Sequence, residues 1–156
     1  MPLPFGDAAF SLVFTRYSFH HFEDPKGVLD EMVRVCAPGG RVVVDVFTTT
    51  PSQAEAFNHM EKLRDPFHVR ALSLHELTEL FEEVRLGELR TEFYKHSFEL
   101  EQVLQGSFPN PGDADRVRQL FQKDLDTNHL GLGASRKGGQ IHFAYPIVIL
   151  VGRGSG

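Results

Sequence analysis

The sequence predicts an α/β fold, and three observations carry the prediction. A strand-like run, "FSLVFTRYSF" from Phe10 to Phe19, is followed by an amphipathic helical pattern and a second apolar run, "RVVVDVF" from Arg41 to Phe47. Strand, helix and strand in that order imply a parallel pair joined by a right-handed crossover. Two further segments then open with helix-start signals, and the chain closes on another apolar run, "QIHFAYPIVILVGRG".

Each element has a local reason. Phe10–Phe19 is rich in aromatic and β-branched residues and apolar on both alternating faces at its start, the mark of a strand covered on both sides. Asp24 can cap a helix with Pro25 at its first position, and Val28, Leu29, Met32, Val33 and Cys36 recur at spacings of three and four before "APGG" ends the run. Ser52 with Glu55, and Ser73 with Glu76, have the spacing of capping boxes ahead of helices carrying Phe57, Met60 and Leu63, and Leu74, Leu77, Leu80, Phe81 and Val84. Leu89–Tyr94 predicts a third strand, and Phe98–Leu104 and Asp115–Leu125 predict helices. Pro146 inside the last strand lacks a ladder donor, which points to an edge or a bulge there. No internal repeat or long linker divides the chain, so one domain over residues 1–156 is expected.

Composition narrows the function. A chain of 156 residues with 41% apolar content can bury a real core. The net charge of −5, with Arg136-Lys137 as its densest basic patch, argues against nucleic acid as a partner. The apolar run Ile147–Val151 is far short of the roughly 20 residues that span a bilayer, so membrane insertion is not expected. One cysteine and no charged-then-apolar leader make a cytoplasmic location the default.

Several motifs invite chemistry. "GLGASRKGG" is not a phosphate loop: Arg136 stands where the third glycine of GxGxxG belongs, and the segment leads into a strand rather than a helix, so it reads as a flexible connector. Among the eight histidines no pair has the helical spacing of a zinc site, and no metal is expected. Cys36 falls on the apolar face of its helix and reads as core. Asp45, inside "VVVDVF", must find partners in a buried strand; it either reaches a ligand cleft or bonds a neighbouring loop. In open parallel sheets ligands bind beyond the carboxyl ends of the strands, which is where "TRYSFHHFEDP" lies. Position alone leaves two readings for Arg16, Tyr17, His20 and His21: a ligand site, or a packed strand end whose histidine caps the next helix. The loop "LRDPFHVRALS", with Arg64, Asp65, His68 and Arg70 between two helices, is placed as binding loops tend to be.

These residues carry a resemblance. "LPF" at residues 3–5, Phe10-Ser11, His20-His21, Arg34-Val35-Cys36, Pro38-Gly39-Gly40 and the strand after them resemble the second half of the class I S-adenosylmethionine-dependent methyltransferase core, in the branch of the ubiquinone and menaquinone biosynthesis methyltransferases. "FNHMEKLRDPFHVRALS" also resembles a connector of small bacterial methyltransferases. Ser11 departs from the pattern, which usually has aspartate there. The resemblance implies a partial Rossmann-like methyltransferase sheet, from the fourth strand onward, with helices on both faces and an antiparallel C-terminal strand. It also implies S-adenosyl-L-methionine as cofactor, with Arg16, Tyr17 and Ser18 at its methionine end and His20 or His21 as base or orienter. Asp45, Asn58, Arg64, His68 and Arg70 would line the side of a small-molecule methyl acceptor.

The family's Gly-rich loop and its acidic cofactor contacts lie upstream of "LPF", so Met1 would be internal in a complete member, and a truncated chain, inactive alone, is expected. The strand Phe10–Tyr17 then becomes an edge with unpaired backbone groups. It is expected to pair with a second copy, giving a dimer, or with a missing N-terminal half. The competing expectation is a non-catalytic interaction or oligomerisation module with the same later strands.

Overall fold

The computed structural model describes residues 2–154; Met1 lies outside the described residues. The sheet begins with β1 (Phe10–Arg16), a short 3-10 turn follows at Phe19–His21, and helix α1 spans Pro25–Val35. The Asp24 carboxylate accepts from the Gly27 N–H at 2.8 Å, with Pro25 in the first turn, as the sequence indicates. Strand β2 (Cys36–Phe47) runs parallel to β1, pairing Arg16 with Asp45 at the far end. Cys36 is therefore the first residue of β2 and not part of α1, although it is buried in the core as expected. "APGG" also lies inside β2; Gly39 takes φ +74°, and the register between β1 and β2 shifts there to absorb the extra residues.

Helices α2 (Ala54–Arg64) and α3 (Leu74–Glu83) follow. The capping box at α3 is complete, Ser73 accepting from the Glu76 N–H and Glu76 from the Ser73 N–H. The Ser52–Glu55 box does not form: α2 starts one residue after Gln53, and the Ser52 hydroxyl turns to Thr50. Strand β3 (Gly87–Glu99) is longer than Leu89–Tyr94 because its pairing with the last strand continues to Glu99 opposite His142, which delays α4 to Leu100–Gln105. Helix α5 spans Asp113–Asp124. The expected connector at Gly131–Gly139 instead contains strand β4 (Ser135–Lys137), folded onto β5 (Gln140–Arg153). Gly138 and Gly139, at φ +57° and +82°, supply the two positive φ angles that a tight hairpin turn requires.

The strand order is β1-β2-β5-β3, with β1 and β2 parallel and β5 antiparallel to both its neighbours. This is the mixed α/β sheet with an antiparallel C-terminal strand that the sequence implies. Pro146 sits in β5, a central strand, without a bulge. Its carbonyl accepts from the Thr48 N–H just past the last β2–β5 pair, so its ring nitrogen faces Thr48, and the one return bond it cannot donate falls where the β2 ladder ends.

Two cores lie on opposite faces. Val42, Val44, Val46, Val148 and Leu150 pack with α1 and α3, while Phe47, Phe143, Tyr145 and Ile147 pack with α2, α4 and α5. Strand β1 is not covered on both sides. Val13 packs on the first core, but Leu12 is 53% and Phe14 67% exposed, because β1 is the sheet edge and no described element lies over that face.

Candidate functional site

The parallel strands β1 and β2 end at one rim of the sheet, where a cavity of about 550 Å³ opens. Tyr17, His20 and His21, which follow β1, form one side; Arg64 and Asp65 close it at the end of α2. The floor is aromatic. His20 stacks on Phe47 with ring centroids 4.0 Å apart, Phe47 stacks on Tyr145 at 5.1 Å, and Phe98 meets Tyr145 edge-on at 5.6 Å. Ser107, after α4, completes the rim.

Tyr17 takes φ +52°, which turns the chain off β1 into this rim, and its N–H donates to the Asp45 carbonyl at 2.8 Å. Its hydroxyl lies 2.6 Å from the Tyr94 hydroxyl and 3.2 Å from His96 Nδ1, and Tyr94 donates onward to Asp45 at 3.0 Å. Arg16 Nε lies 3.1 Å from the same carboxylate, and its guanidinium stands over the Tyr17 ring. Burial, with Tyr17 and Asp45 beside it, pushes the Tyr94 phenol above its ordinary value. Asp45 thus finds its partners in Arg16 and Tyr94.

His20 is 4% exposed, and its Nδ1 is buried with no partner. Burial, followed by neighbouring His21, His68 and Arg64, lowers its pKa to about 2, so the imidazole is neutral in the fold. Its carbonyl accepts from the N–H groups of both Val69 and Arg70, fastening the 3-10 turn to the loop after α2. From α2, Asn58 Oδ1 accepts from Ala71 N–H and His68 Nε2 of that loop, each at 2.7 Å, which fixes the His68 proton on Nε2. Burial lowers the His68 pKa to about 4.

Beneath the cavity Glu61 is fully buried. Tyr145 donates to it, and Arg64 donates to it from Nε and Nη2, the latter at 2.6 Å. Burial opposes the Arg64 charge, but the Glu61 carboxylate outweighs it and holds Arg64 above its ordinary value. Arg64 also donates to Ser107 at 3.0 Å, tying α2 to the segment after α4.

Of the residues the sequence singled out, the structure brings Tyr17, His20, His21 and Arg64 to the cavity wall. Asn58 and His68 stand behind that wall, Ser18 bonds Thr15 at 2.6 Å, and Arg70 pairs with Glu76 outside it. Sequence reasoning missed Glu61, Tyr94, His96 and Tyr145. Glu61 did leave a signal: it lies four residues after Phe57 on the apolar stripe of α2, where a charge needs a buried partner. Among the described residues no group of three or more His, Cys, Asp or Glu is placed to hold a metal ion, and no helix is long and apolar enough to cross a membrane.

Residues 1–44 match the family described as "Methyltransferase domain". The chain is 41% identical over 81 residues to the uncharacterized methyltransferase YcgJ of Bacillus subtilis, covering 51% of this chain and 32% of that protein. It is 44% identical over 54 residues to the demethylmenaquinone methyltransferase of Thermus thermophilus, covering 35% of this chain and 24% of that one. The match thus spans well under half the length of these relatives. The crystal structure of B. subtilis YcgJ superposes with a TM-score of 0.87 at 23% identity, covering 99% of this chain and 68% of that one. The first part of the sequence is thus similar to methyltransferases, and the backbone over nearly its whole length follows the fold of YcgJ.

Proposed function

We propose that the chain forms the acceptor side of a methyltransferase that acts on a small, planar, largely apolar molecule. The aromatic-floored cavity at the carboxyl ends of two parallel strands carries this reading: Phe47, Phe98 and Tyr145 offer ring faces and edges, and a few polar groups converge above them. S-adenosyl-L-methionine, when bound, would supply an activated methyl group. Tyr17, turned into the cavity wall by its positive φ, fits a border for the methionine end. Arg16 and Ser18 would support it from behind, since their polar atoms are engaged by Asp45 and Thr15. His20 and His21 would face the acceptor beside Arg64, with Asn58 and His68 holding the wall and Arg70 the outer loop. The protein's part is alignment and handling of the acceptor's proton.

A second reading, an interaction or oligomerisation module, rests on the edge of β1. Phe10, Leu12 and Phe14 are exposed beside unpaired backbone groups, which suits addition of a strand from a second copy or from an N-terminal half that would complete the cofactor site. Calorimetry on this chain alone is expected to show no tight binding of S-adenosylmethionine, with binding appearing when an N-terminal methyltransferase half is added. Absence of binding in the combined sample would favour the module. Sedimentation should show a dimer that Phe14→Lys dissociates; a wild-type monomer would remove pairing between copies.

A further inference from the structure

A chain of hydrogen bonds runs along the cavity rim from Asp45 on β2 to His96 on β3, and its direction follows from counting protons. The Asp45 carboxylate, paired with Arg16, only accepts, so Tyr94, 3.0 Å away, turns its one hydroxyl proton toward it. Burial above all, then Tyr17 and Asp45, holds that phenol above its ordinary value, so the proton stays on Tyr94. Tyr94 has only its lone pairs left for Tyr17, 2.6 Å away, and Tyr17 must donate to it. With its own proton spent, the Tyr17 oxygen accepts from Arg16 Nη2 and from His96 Nδ1, each at 3.2 Å. The neutral His96 ring is therefore the Nδ1–H tautomer, with a lone pair and no proton at Nε2.

His96 also lines the cavity, its ring centroid 4.2 Å from that of Phe98, and among the described residues its Nε2 has no hydrogen-bond partner. Several neighbouring polar groups are already committed. Arg64 and Tyr145 donate to Glu61, the Ser107 hydroxyl donates to the Val103 carbonyl, and His21 Nε2 faces Asp65 at 3.7 Å. The exposed Gln102 amide offers both a donor and an acceptor, so it cannot discriminate. We propose that His96 Nε2 is the specificity-determining contact of this cavity: it accepts a hydrogen bond from an N–H or O–H group on the edge of a flat apolar ligand, and the Asp45–Tyr94–Tyr17 relay keeps it an acceptor. The proposal rests on the reading of the cavity as a methyl-acceptor site and adds to it the polarity of the molecule that enters. A ligand presenting a lone pair at the same place meets the Nε2 lone pair and is disfavoured.

Indole and benzofuran are planar, alike in shape, and differ in a ring N–H against a ring oxygen, so the two probes together read the polarity of the contact. The chain contains no tryptophan, so indole binding is followed by its own emission and benzofuran binding by displacement of indole. With the whole chain at pH 8, where an ordinary imidazole is neutral, indole should bind about tenfold more tightly than benzofuran. Nitrogen-15 spectra should show the His96 proton on Nδ1. His96→Phe keeps a ring against Phe98 and should bring the two affinities to within about twofold. Tyr94→Phe frees the Tyr17 proton for His96 Nδ1, so the ring proton should move to Nε2 and the preference for indole should vanish; a merely structural Tyr94 would leave the tautomer where it was. Equal binding of the two probes to the wild type, an Nε2–H tautomer there, or an undiminished preference in either variant would overturn the proposal and leave the cavity reading standing. Binding of neither probe would overturn both. The wild-type ratio and spectrum need no variant, so the proposal stays exposed to failure even where a substitution unfolds the chain.

Discussion

Lowering the pH from 7 to 4 is expected to cost this protein about 6 kcal/mol of stability through two imidazoles alone. In the unfolded chain His20 and His68 take up protons near 6.5, whereas in the fold burial holds them neutral down to about 2 and about 4. Across that window the unfolded state binds more protons. Stability is therefore full above pH 6.5, falls as the pH drops through 6.5, and stops falling on account of each group below its folded value. Glu31, held down to about 2 by Arg34 and the Leu3 N–H, adds a loss of the same sign at lower pH. Urea denaturation at pH 7, 5.5 and 4 measures the slope. His20→Phe preserves the ring stacked on Phe47 and removes one titration, so its curve should be flatter by about half; an unchanged slope would show that the buried rings do not control acid unfolding.

Glu61→Ala is expected to destabilise the fold by about 3–5 kcal/mol, the cost of leaving a partly buried charge without its partner. Three groups converge on that carboxylate: the Arg64 guanidinium, the Tyr145 hydroxyl and, through Arg64, the Ser107 hydroxyl. Tyr145→Phe removes one donor but leaves the ion pair intact, and should cost about 1–2 kcal/mol. Because the groups share one network, the double variant should cost less than the sum. Additive losses in denaturant titrations would indicate that Tyr145 and Glu61 act separately.

Periodicity revealed the order of the major elements, since the strand–helix–strand unit at Phe10–Phe47 and the apolar stripes of α3 and α5 follow from residue spacing. Failures came where a local signal competed with pairing. Ser52–Glu55 has the spacing of a capping box, but the chain after β2 turns through Thr50 and Gln53 first, so the box never closes. Pro146 suggested an edge because its missing donor is a local fact, whereas the length of β2, which ends before it, is a tertiary one. The same division holds at the site. Tyr17, His20 and His21 were legible because they follow a strand end. Tyr94, His96 and Tyr145 were not, because only the register of β3 against β5 brings them to the same rim.

The two N–H groups that His20 receives from Val69 and Arg70, with the His21–Phe67 contact, join the turn after β1 to the loop after α2 as one stiff piece. A molecule entering the cavity cannot push that side away without breaking these bonds. Breathing of the entrance must then fall to the opposite lip at Gly106 and Ser107, which is pinned to that piece by the Arg64–Ser107 bond. Arg64 thus spans the entrance, paired with Glu61 on one side and bonded to Ser107 on the other, so the two lips separate only where that second bond opens.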